Sequence, residues 1–560
     1  MLPAVPSADI VAALQESLNL PEPVCRLVAT RGFIEPEAAK RYLRPRLEHL
    51  GEGPPLMDLD RAVGRLATAA RSGETVLVHG DYDVDGICST TLMVRTLRAL
   101  GANAVPFIPH RLEDGYDLTA AGVRAATSAG AGVVLTCDCG TSAVGPVAAL
   151  QDAGIDVIIA DHHLPGGPLP RAFAILNPKR PGCPSTDKDL AAVGVAFKLA
   201  LAVTRELKGN ENAVYGMLDL VALATVADVA PLRGENRILV RYGLRLLNES
   251  PNIGLRALIR AAGLEGKPLT AGRVGFTLAP RLNAVGRLAR ALRGVELLMA
   301  RDDHEANTIA RELEELNARR QELDRATLAR AREIVGTMDL DETFGIVLAE
   351  DGWHPGVIGI VASRIVEEFG RPALLIGIDG DEGKGSGRSI PAFDLHSALS
   401  ECSDVLLRFG GHRAAAGVTI SRARIAELAM RFNRVARERL TIDDLTPDLR
   451  ADLEIKLADV GEALDAVFRH LEPCGLGNPS PVLVVRGVTV AGAVRSVGRD
   501  GLKLTLRDGE TSLGAVGWGL AHRRGELRIG EPMDVAFKLE RDEWNGASRL
   551  QARLVDFRPV

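Results

Sequence analysis

The residues best suited to chemistry in this chain are carboxylates and imidazoles that lie close together in three segments. In chain order they are His79, Asp81, Asp83, Asp85, Asp138, Asp161, His162 and His163. One aspartate at the start of a helix is usually a cap, but so many carboxylates in one place would repel one another without cations. Oxygen and imidazole ligands with no nearby thiolate pair favour Mn2+ or Mg2+ over a structural zinc. The set therefore predicts a site for divalent metal ions.

This ligand set is large enough for two ions. Two ions roughly 4 Å apart with a shared water are a common arrangement for phosphoester hydrolysis, because they lower the pKa of the water and neutralise the charge of the transition state. Arg111, in the segment IPHRLEDGYDL, is expected to hold a phosphate by a bidentate fork. The alternative for Arg111 is a surface salt bridge with Glu113 or Asp114. Together these residues predict a metal-dependent phosphoesterase.

The elements that position these residues are short apolar strands that alternate with helices. The strands are predicted at TVLVHG, AVPFI, GVVLTCD and DVIIADHH, and helical segments lie between them. Apolar runs of this length indicate a parallel sheet that is covered on both faces. In such a sheet ligands bind at the carboxyl ends of the strands. The carboxylates and histidines end the first, third and fourth strands, so all of them are expected at one edge of the sheet.

The remainder of the chain predicts further units around this α/β domain. A long polar helix over about residues 296–336 is expected to be a rigid connector, and a second α/β unit follows it, with a glycine-rich turn at DEGKGSGRS. The C-terminal part has short alternating strands separated by glycine turns, with a hairpin signal at Asn545-Gly546, and suits a small β-barrel such as an OB-fold. The predicted boundaries are 1–50 for an N-terminal helical region, 51–235 for the first α/β domain, 236–340 for a basic helical segment and the connector helix, 341–440 for the second α/β domain, and 448–560 for the OB-fold.

Composition is ordinary for a globular protein without membrane spans. Of the 560 residues, 46% are hydrophobic and 25% charged, and no apolar stretch approaches the ~20 residues that a span needs. With no secretory pattern at the N-terminus, the expected location is the cytoplasm. The seven cysteines are odd in number and scattered, which argues against a disulfide framework. Cys137 and Cys139 flank Asp138 and are expected to be small strand-end residues, not metal ligands.

The net charge of -6 conceals a basic block between Arg237 and Arg293. This stretch has eleven Lys and Arg residues, two Glu and no Asp. Such a block can track a phosphate backbone, and the alternative is a solvated helix face. Trp518 and Trp544 are candidates for base stacking, although tryptophan is more often part of a core. With only 4% aromatic residues, charge is expected to contribute more than stacking to a contact with a phosphate backbone.

The motifs taken in order resemble the DHH phosphoesterase superfamily. DYDVDG, DCGTS, ADHH and ATVADVAPL occur in that order in the first half of the chain. APRLNAVGR, GWHPGVIGIVASRI, GSGRS and RFGGHRAAAG follow them, and the predicted β-barrel comes last. Each motif is weak alone, but the ordered set is specific and extends from about residue 50 to the C-terminus. With its barrel, the series is similar to the members of the superfamily that degrade single-stranded DNA.

The resemblance implies a role for each matching position. One ion would be held by His79 and Asp83 and the other by Asp85, His162 and Asp228, with Asp138 bridging the two. The implied catalytic residues are Asp83, Asp85, Asp138, His162 and His163, and the implied substrate contacts are Arg111, Arg281, Asn283, Arg287, Arg388, Ser389 and His412. Asp81 is expected outside the ligand shell. One motif departs from the common Asp-Asn-Gly or Asp-His-Gly pattern, since it is Asp138-Cys139-Gly140 here, which retains the ligand and changes its hydrogen bonds.

The function that the resemblance implies is a metal-dependent 5′-to-3′ exonuclease that degrades single-stranded DNA to mononucleotides in DNA repair and recombination. The implied cofactors are two divalent ions, Mn2+ or Mg2+. The expected partners are single-stranded DNA, a single-strand-binding protein and a RecQ-type helicase, and a monomer without membrane contact is expected. One alternative is a DHH-type oligoribonuclease, pAp phosphatase or cyclic-dinucleotide phosphodiesterase, although the additional regions here favour a polymer substrate. Another is a non-catalytic replication scaffold, which should have lost metal ligands that this chain retains.

Overall fold

The computed structural model describes residues 2–111, 113–446, 448–544 and 547–560. The chain begins with three short helices, α1 (Ala8–Leu18), α2 (Glu22–Thr30) and α3 (Pro36–Leu43). Both α2 and α3 have proline in their first turn, where its missing N–H costs no hydrogen bond. Helices this short are marginal by themselves, so their stability must come from packing against another part of the chain.

The first lobe is built around five parallel strands. Its elements are α4 (Leu59–Ser72), β1 (Thr75–Gly80), α5 (Val84–Ala99), β2 (Asn103–Phe107), α6 (Ala120–Ser128), β3 (Val133–Cys137), α7 (Val144–Asp152), β4 (Asp156–Ala160), β5 (Ala174–Leu176), α8 (Ala192–Glu206), α9 (Glu211–Tyr215) and α10 (Leu218–Ala227). The strand order is β2-β1-β3-β4-β5, with every pairing parallel. This confirms the predicted parallel α/β domain. The chain direction across the sheet reverses at β1, which lies between β2 and β3, and such a point is where open sheets bind ligands.

Helices lead from the first lobe to the second. They are α11 (Gly234–Asn248), α12 (Ile253–Ala261), α13 (Ala271–Arg273), α14 (Ala279–Leu288), α15 (Leu292–Leu298) and α16 (Asp303–Val335), with a π-helical turn at Val274–Leu278. The long helix α16 begins later than predicted because the Asp302 side chain accepts a hydrogen bond from the Glu305 N–H (2.9 Å) and caps it there. Its residue Leu313 belongs to the core of the first lobe and Leu328 to that of the second. None of the described helices is long and apolar enough to cross a membrane.

The second lobe is a mixed sheet with helices. It comprises β6 (Ile346–Asp351), α17 (Pro355–Phe369), β7 (Ala373–Asp379), β8 (Glu382–Arg388), α18 (Leu395–Ser400), β9 (Arg408–Gly411), β10 (Ala415–Ser421) and α19 (Ile425–Arg439), in the sheet order β6-β7-β8-β10-β9. The prediction of a turn at DEGKGSGRS was wrong, because this segment forms the central strand β8. Its alternate glycines Gly383, Gly385 and Gly387 lie where a Cβ would come within 2.9 Å of an apolar side chain. The glycines therefore permit close packing on one face of the strand.

The C-terminal domain is a closed β-barrel. Its elements are β11 (Leu453–Glu454), α20 (Glu462–Phe468), β12 (Leu483–Val497), β13 (Gly501–Asp508), β14 (Thr511–Gly517), β15 (Pro532–Trp544) and β16 (Ala547–Pro559). The sheet order β11-β12-β13-β14-β16-β15 closes through an additional pairing of β12 with β15. The barrel predicted from the alternating strands is thus confirmed. The predicted Asn545-Gly546 hairpin lies outside the described residues.

The three N-terminal helices share one hydrophobic core with this barrel. Leu27 and Leu43 of the helices belong to the same cluster of buried residues as Leu483 and Phe537 of the barrel strands. The Arg31 side chain reinforces the contact through hydrogen bonds to barrel-domain residues. The two ends of the chain therefore form one packed unit, although both α/β lobes lie between them in the sequence.

One buried arginine joins this unit to the first lobe. Arg237 of α11 is 2% exposed, and its guanidinium donates five hydrogen bonds of 3.0, 2.9, 3.1, 3.1 and 3.2 Å to carbonyl oxygens. The acceptors are Tyr42, Leu471, Pro473, His470 and Glu472, in the same order. The guanidinium also lies 4.6 Å from the centroid of the Tyr42 ring. Arg237, the first residue of the basic block, therefore makes structural contacts and is not available to bind a phosphate.

Candidate metal centre

The loop after β1 orients two aspartates through helix N-termini. Asp83 is the N-cap of α5, and its Oδ1 accepts hydrogen bonds from the Asp85 N–H (2.9 Å) and the Gly86 N–H (3.2 Å). Asp85 lies in the first turn of α5. Its carboxylate accepts hydrogen bonds from the Val193 N–H (2.8 Å) and the Ala192 N–H (3.0 Å) at the start of α8. Both carboxylates are thus held in the positive field of a helix N-terminus.

Asp138 leaves β3 in a backbone conformation that L-residues rarely adopt. Its φ is +66°, and Gly140 follows with φ +107°. The Asp138 N–H still donates to the Ala160 carbonyl (2.9 Å), which keeps the residue in line with β4. The Thr136 hydroxyl donates to the Cys139 carbonyl (2.7 Å) and closes the turn. This local strain aims the Asp138 carboxylate at the edge of the sheet.

Asp161 orients the two histidines that follow it. Its Oδ1 accepts hydrogen bonds from the His162 N–H (2.7 Å) and the His163 N–H (3.1 Å) and lies 2.8 Å from His163 Nδ1. Burial favours the neutral form of both side chains, but their hydrogen bond outweighs it. The pKa of Asp161 is therefore lowered below its usual range, and that of His163 is raised to about 9. His163 is accordingly protonated at neutral pH.

Three groups of possible metal-ligand atoms meet at the strand ends. They are Asp81-Asp83-Asp138, Asp138-His162-His163 and Asp85-His162-Asp228, and within each group the atoms lie within 4.8 Å of one another. His162 Nε2 lies 3.3 Å from Asp138 Oδ1 and 3.7 Å from Asp228 Oδ2. Asp81 Oδ1, Asp138 Oδ1 and His162 Nε2 are buried without a hydrogen-bond partner among the described residues. Unpaired buried polar atoms are costly, so the donor set fits divalent cations that would coordinate these atoms.

The pKa values of the carboxyl groups in the cluster also favour a site for divalent cations. Burial and the neighbouring negative charges raise the pKa of Asp85 to about 7 and that of Asp228 to about 8. The same causes raise the pKa of Asp81 and Asp138 far above the usual range of a carboxyl group. Burial lowers the pKa of His162 to about 3, so this imidazole is neutral. A divalent cation would reverse the repulsion among the carboxylates and keep them ionised.

His79 lies outside the three groups, although the resemblance implied that it holds an ion. Its ring packs 5.2 Å from the Phe107 ring, and its Nδ1 lies 3.5 Å from Cys139 Sγ. Its Nε2 faces Gly122 of α6, where a Cβ would lie 2.9 Å away. Because His79 is still inside β1, its side chain points to a covered face of the sheet. Asp81, just beyond the end of the strand, lies in one of the groups with Asp83 and Asp138, while His79 Nε2 is also buried without a hydrogen-bond partner among the described residues.

Arg111, Arg287 and Arg388 lie near one another beside the cluster. Burial and the charge of Arg111 lower the pKa of both Arg287, to about 10, and Arg388. Arg287 of α14 donates a hydrogen bond to the Gly356 carbonyl at the start of α17 (2.9 Å), so it also joins the two lobes. Arg111 forms no salt bridge with Glu113, Asp114 or any other described residue. For Arg111 the structure therefore does not show the surface salt bridge that was the alternative to a phosphate contact.

Two further predicted substrate residues contact other parts of the protein. The Arg281 guanidinium forms an ion pair with Glu314 of α16 and donates to the Thr277 carbonyl. Asn283 Oδ1 accepts a hydrogen bond from the Val84 N–H (3.2 Å) and so holds α14 against the loop after β1. These contacts hold Arg281 in place, and its predicted contact with the strand stays a prediction.

Two of the three predicted substrate residues of the second lobe donate hydrogen bonds to neighbouring carbonyl groups. The Ser389 hydroxyl donates to the Phe393 carbonyl (2.8 Å), and Arg388 donates to the Gly387 carbonyl (2.8 Å). The His412 side chain is exposed next to the glycines of β9. Arg388 and His412 therefore remain the better candidates for contact with a phosphate.

Sequence reasoning missed two residues that tie the loop after β2 to the metal-ligand cluster. The Tyr116 hydroxyl lies 3.2 Å from His163 Nε2. Asp117 Oδ1 accepts a hydrogen bond from the Gly140 N–H (2.6 Å), and Asp117 has a φ of +75°. Both residues lie in the segment that contains Arg111, but a polar loop has no periodicity from which their contacts could be predicted.

A groove of about 770 Å³ separates the helical segment from the barrel. Arg241 and Arg245 line one wall, Lys538 and Arg553 line the other, and the groove also contains two glutamates. None of these four cations forms a salt bridge with a described residue. Lys538 and Arg553 are direct cross-strand neighbours, which is unfavourable for like charges unless an anion compensates them. Phe276 of the π-helical turn lies at the same groove and is 90% exposed.

Of the two tryptophans predicted as candidates for base stacking, Trp518 lies in the described part of the barrel. Trp518 is 49% exposed on the barrel, and its ring covers Gly501, where a Cβ would lie 2.8 Å from it. An exposed ring of this kind is available for stacking. The Trp544 side chain lies outside the described part of the chain.

Three domain families match the chain in the order of its structural units. The DHH family, N-terminal domain, matches residues 75–225, the DHHA1 domain matches residues 342–439, and the RecJ OB domain matches residues 451–556.

Similar proteins cover nearly the whole chain. Single-stranded-DNA-specific exonuclease RecJ of Bacillus subtilis is 37% identical over 98% of this chain and 70% of its own length. The protein of the same name from Escherichia coli is 34% identical over 97% of this chain and 96% of its own length. The crystal structure of RecJ from Thermus thermophilus in complex with Mn2+ is 32% identical, with a TM-score of 0.85, and the match covers 100% of this chain and 79% of that one. The structure of the same protein with Mg2+ has a TM-score of 0.80 at 31% identity, covering 100% and 78%.

Proposed function

The chain belongs to the RecJ family of single-stranded-DNA-specific exonucleases, and we propose that it removes nucleotides from single-stranded DNA in the 5′-to-3′ direction with two divalent ions. The observation that carries this proposal is the cluster of buried, unpaired ligand atoms of Asp81, Asp138 and His162. Such a donor set suits Mn2+ or Mg2+. Phosphodiester hydrolysis is the reaction that a pair of these ions promotes most directly.

We assign the ligands from the groups of converging atoms. Asp81, Asp83 and Asp138 would hold one ion and Asp85, His162 and Asp228 the other, with Asp138 beside both. When bound, the ions lower the pKa of a water and neutralise charge on the phosphate. Asp81 here takes the role that the resemblance implied for His79.

His163 acts on the phosphate as a cation. Its hydrogen bond with Asp161 raises its pKa to about 9 in the metal-free protein and favours the protonated form. Its Nδ1 lies 3.8 Å from Asp138 Oδ1, so the imidazolium stands directly beside the assigned ligands. From there it can donate a hydrogen bond to a phosphate oxygen and a proton to the leaving oxygen.

The direction of degradation follows from recognition of a terminal phosphate. A 5′-phosphate carries more charge than an internal phosphodiester, so guanidinium groups distinguish the two. Arg111 of the first lobe and Arg388 of the second would hold it, with Ser389 alongside. The low pKa of Arg388, which burial and the charge of Arg111 cause, is consistent with a place for an anion between them.

The rest of the strand would run through the groove between the helical segment and the barrel. Its four cations without salt bridges suit a phosphate backbone, and exposed rings suit unpaired bases. Paired bases present no faces for such stacking, which is consistent with a preference for single strands.

The cellular role follows from the substrate. We infer a cytoplasmic monomer that acts in DNA repair and recombination, where single strands arise. A RecQ-type helicase would supply the strands by unwinding, and a single-strand-binding protein would hold them open. The support for these partners is the need of a single-strand-specific enzyme for a source of its substrate.

Digestion of end-labelled oligonucleotides by the full chain with Mn2+ tests the proposal. We expect mononucleotides to be released from the 5′ end first, a circular single strand to survive, and a blunt duplex to be degraded much more slowly. Release from the 3′ end or internal cuts would contradict the assignment. Hydrolysis restricted to pAp, very short oligoribonucleotides or cyclic dinucleotides would favour the alternative phosphatase function.

A further inference from the structure

The aromatic ring of Tyr82 lies between the metal-ligand cluster and the arginine that we assign to the terminal phosphate. Tyr82 stands between Asp81 and Asp83 in the chain. The Arg111 guanidinium carbon lies 4.7 Å from the centroid of the Tyr82 ring. On another side, Tyr82 makes an edge contact with Tyr116, with 6.1 Å between ring centroids. The ring is thus the contact that links the loop after β1 to the guanidinium.

Arg111 needs support of this kind because two other guanidinium groups lie near it, although Asp81, whose pKa is raised by burial and lowered in part by the charge of Arg111, is also close. Its charge contributes to the lowered pKa of both Arg287 and Arg388, after the larger effect of their burial. In the described part of the chain it forms no salt bridge. A guanidinium among like charges would be expected to turn towards solvent. The negative face of an aromatic ring attracts it without neutralising its charge, so it remains available for an anion.

Tyr82 is itself held firmly from the side of α14. A Cβ at Gly286 would lie 2.0 Å from the Tyr82 carbonyl oxygen, so the helix packs directly on the Tyr82 backbone. Its neighbour Tyr116 is held in turn by the contact of its hydroxyl with His163. The Tyr82 hydroxyl has no hydrogen-bond partner among the described residues. The ring, and not the hydroxyl, is therefore the part of this side chain that makes contacts.

We propose that Tyr82 is a positioning residue whose ring holds the Arg111 guanidinium where the 5′-phosphate of the DNA binds. This inference rests on the proposed function, and in particular on the reading of the 5′ terminus by Arg111 and Arg388. A guanidinium that is already in place loses less conformational entropy when it forms a bidentate contact. Tyr82 therefore acts on recognition of the terminus and not on cleavage of the phosphodiester bond.

Two substitutions separate the ring from the hydroxyl. Tyr82→Leu removes the aromatic face, and Tyr82→Phe retains it. The measurement is single-turnover cleavage, by the full chain with Mn2+, of one sequence with either a 5′-phosphate or a 5′-hydroxyl. We expect the ratio of the two rates to fall about three- to thirtyfold for Tyr82→Leu, and to change by less than about twofold for Tyr82→Phe. Arg388→Ala should lower the same ratio, as a comparator that does not contact the ring.

A double substitution identifies the route of the effect. If Tyr82 acts through Arg111, adding Tyr82→Leu to Arg111→Ala should not change the ratio further. Equal losses of rate on both termini would mean that the substitution disturbs the metal ligands on either side of Tyr82. A ratio that falls as much for Tyr82→Phe, or falls again in the Arg111→Ala background, would also overturn the proposal.

A chemical probe tests the positioning without DNA or metal. Phenylglyoxal modifies accessible guanidinium groups, and peptide mass spectrometry gives the rate at each arginine, with the exposed Arg558 as internal reference. We expect Arg111 to react faster in Tyr82→Leu than in the parent protein or in Tyr82→Phe. Unchanged reactivity of Arg111 would overturn the positioning role. A further outcome is that the parent protein cleaves both termini at the same rate while Arg111 still reacts faster in Tyr82→Leu. This result would uphold the positioning role of Tyr82 and refute the proposed recognition of the 5′-phosphate by Arg111.

Discussion

Two buried polar clusters of this molecule differ in whether the protein satisfies them by itself. At the junction of the first lobe with the barrel, Arg237 finds five carbonyl acceptors, although no carboxylate meets it. At the strand ends of the first lobe, atoms of Asp81, Asp138 and His162 are equally buried and have no hydrogen-bond partner among the described residues. The first cluster stabilises the contact between domains. The second lacks partners, and a bound divalent cation would supply them.

Residue type alone does not separate a structural contact from a candidate metal ligand or substrate contact. Arg237 and Arg245 lie on the same helix in the same basic block, but one is buried in carbonyl contacts and the other lines an open groove. Asp138 and Asp161 both end strands of one sheet, yet Asp161 accepts hydrogen bonds from three backbone N–H groups. Satisfaction of the buried group, and not its charge, distinguishes architecture from function here.

The largest expected effect is that of Asp138→Asn. The substitution removes the ligand assigned to both ions, so we expect nuclease activity with Mn2+ to fall by about 10³-fold or more. The metal-free protein should at the same time become more stable, because folding no longer has to protonate and bury a carboxyl group that has no hydrogen-bond partner. Activity on a labelled single strand and thermal unfolding in a chelator measure the two effects.

Asp161→Asn is the matched control for this prediction. Its charge is satisfied by His163 and by backbone N–H groups, so the same substitution should destabilise the metal-free protein. If Asp138→Asn also destabilises the protein in chelator, the contrast between buried groups with and without hydrogen-bond partners is wrong. Activity of the parent protein that survives dialysis against a chelator would remove the basis for a metal centre.

The next effect in size is that of Arg237→Ala on stability. Loss of the guanidinium removes five hydrogen bonds and leaves the Tyr42 and His470 carbonyls without another donor among the described residues, so we expect the free energy of unfolding to fall by about 3 kcal/mol. Arg241→Ala, one turn further along α11, is the control, since Arg241 donates a single hydrogen bond of 3.3 Å. Urea denaturation followed by circular dichroism measures both. Similar losses for the two variants would mean that the junction does not depend on Arg237.

Much of the fold and part of the candidate site could be predicted from the sequence. The parallel strands are recognisable because each is a short apolar run, and their polar ends must meet at one edge. The strand β8 was not recognised, because its glycines indicate a turn until the tight packing on its face is known. The union of α1–α3 with the barrel was not predictable from periodicity, since it depends on contacts between the two ends of the chain.

The individual site residues show the same limit. Asp83, Asp85 and His162 lie at strand or helix ends, where a pattern in the sequence predicts their position. The proposed assignment of Asp81 instead of His79 depends on the residue at which β1 ends, because a shift of one position turns a side chain from the face to the edge. The roles of Tyr82 and Tyr116 depend on contacts between loops, for which the sequence contains no periodic signal.

A smaller effect is expected from pH on the metal-free protein. Asp85 and Asp228 have pKa values near 4 in an unfolded chain and about 7 and 8 in the folded one. The folded state therefore binds more protons, and the free energy of unfolding should fall as pH rises, by at most about 1.4 kcal/mol per pH unit for each group. Below about pH 6.5 the lowered pKa values of His79 and His162 have the opposite effect.

The clear window for this test is therefore between about pH 6.5 and pH 8. Urea midpoints in chelator should decrease across it. With saturating Mn2+ the decrease should become smaller or reverse, because the ions bind the ionised carboxylates in competition with protons. A metal-free protein that becomes more stable across this window would contradict the unsatisfied charge assigned to the cluster.

The smallest effect concerns the groove, where four surface cations form no salt bridge with a described residue. Removal of the whole barrel would expose the core that it shares with α1–α3, so single charges are the better probe. Lys538→Ala and Arg553→Ala should each reduce the slope of log affinity against log salt by about 0.7 for a long single strand, because one phosphate contact fewer releases fewer counterions. Arg558→Ala is the control, since this barrel residue already forms an ion pair with Asp534 (3.0 Å) and should change the slope less.

Because the groove is expected to hold nucleotides remote from the 5′ end, cleavage of a trinucleotide should stay within about twofold of the parent rate. Equal slopes for all three variants would mean that the strand does not pass between the helical segment and the barrel, and the like-charged pair on β15 and β16 would need another anion to explain it.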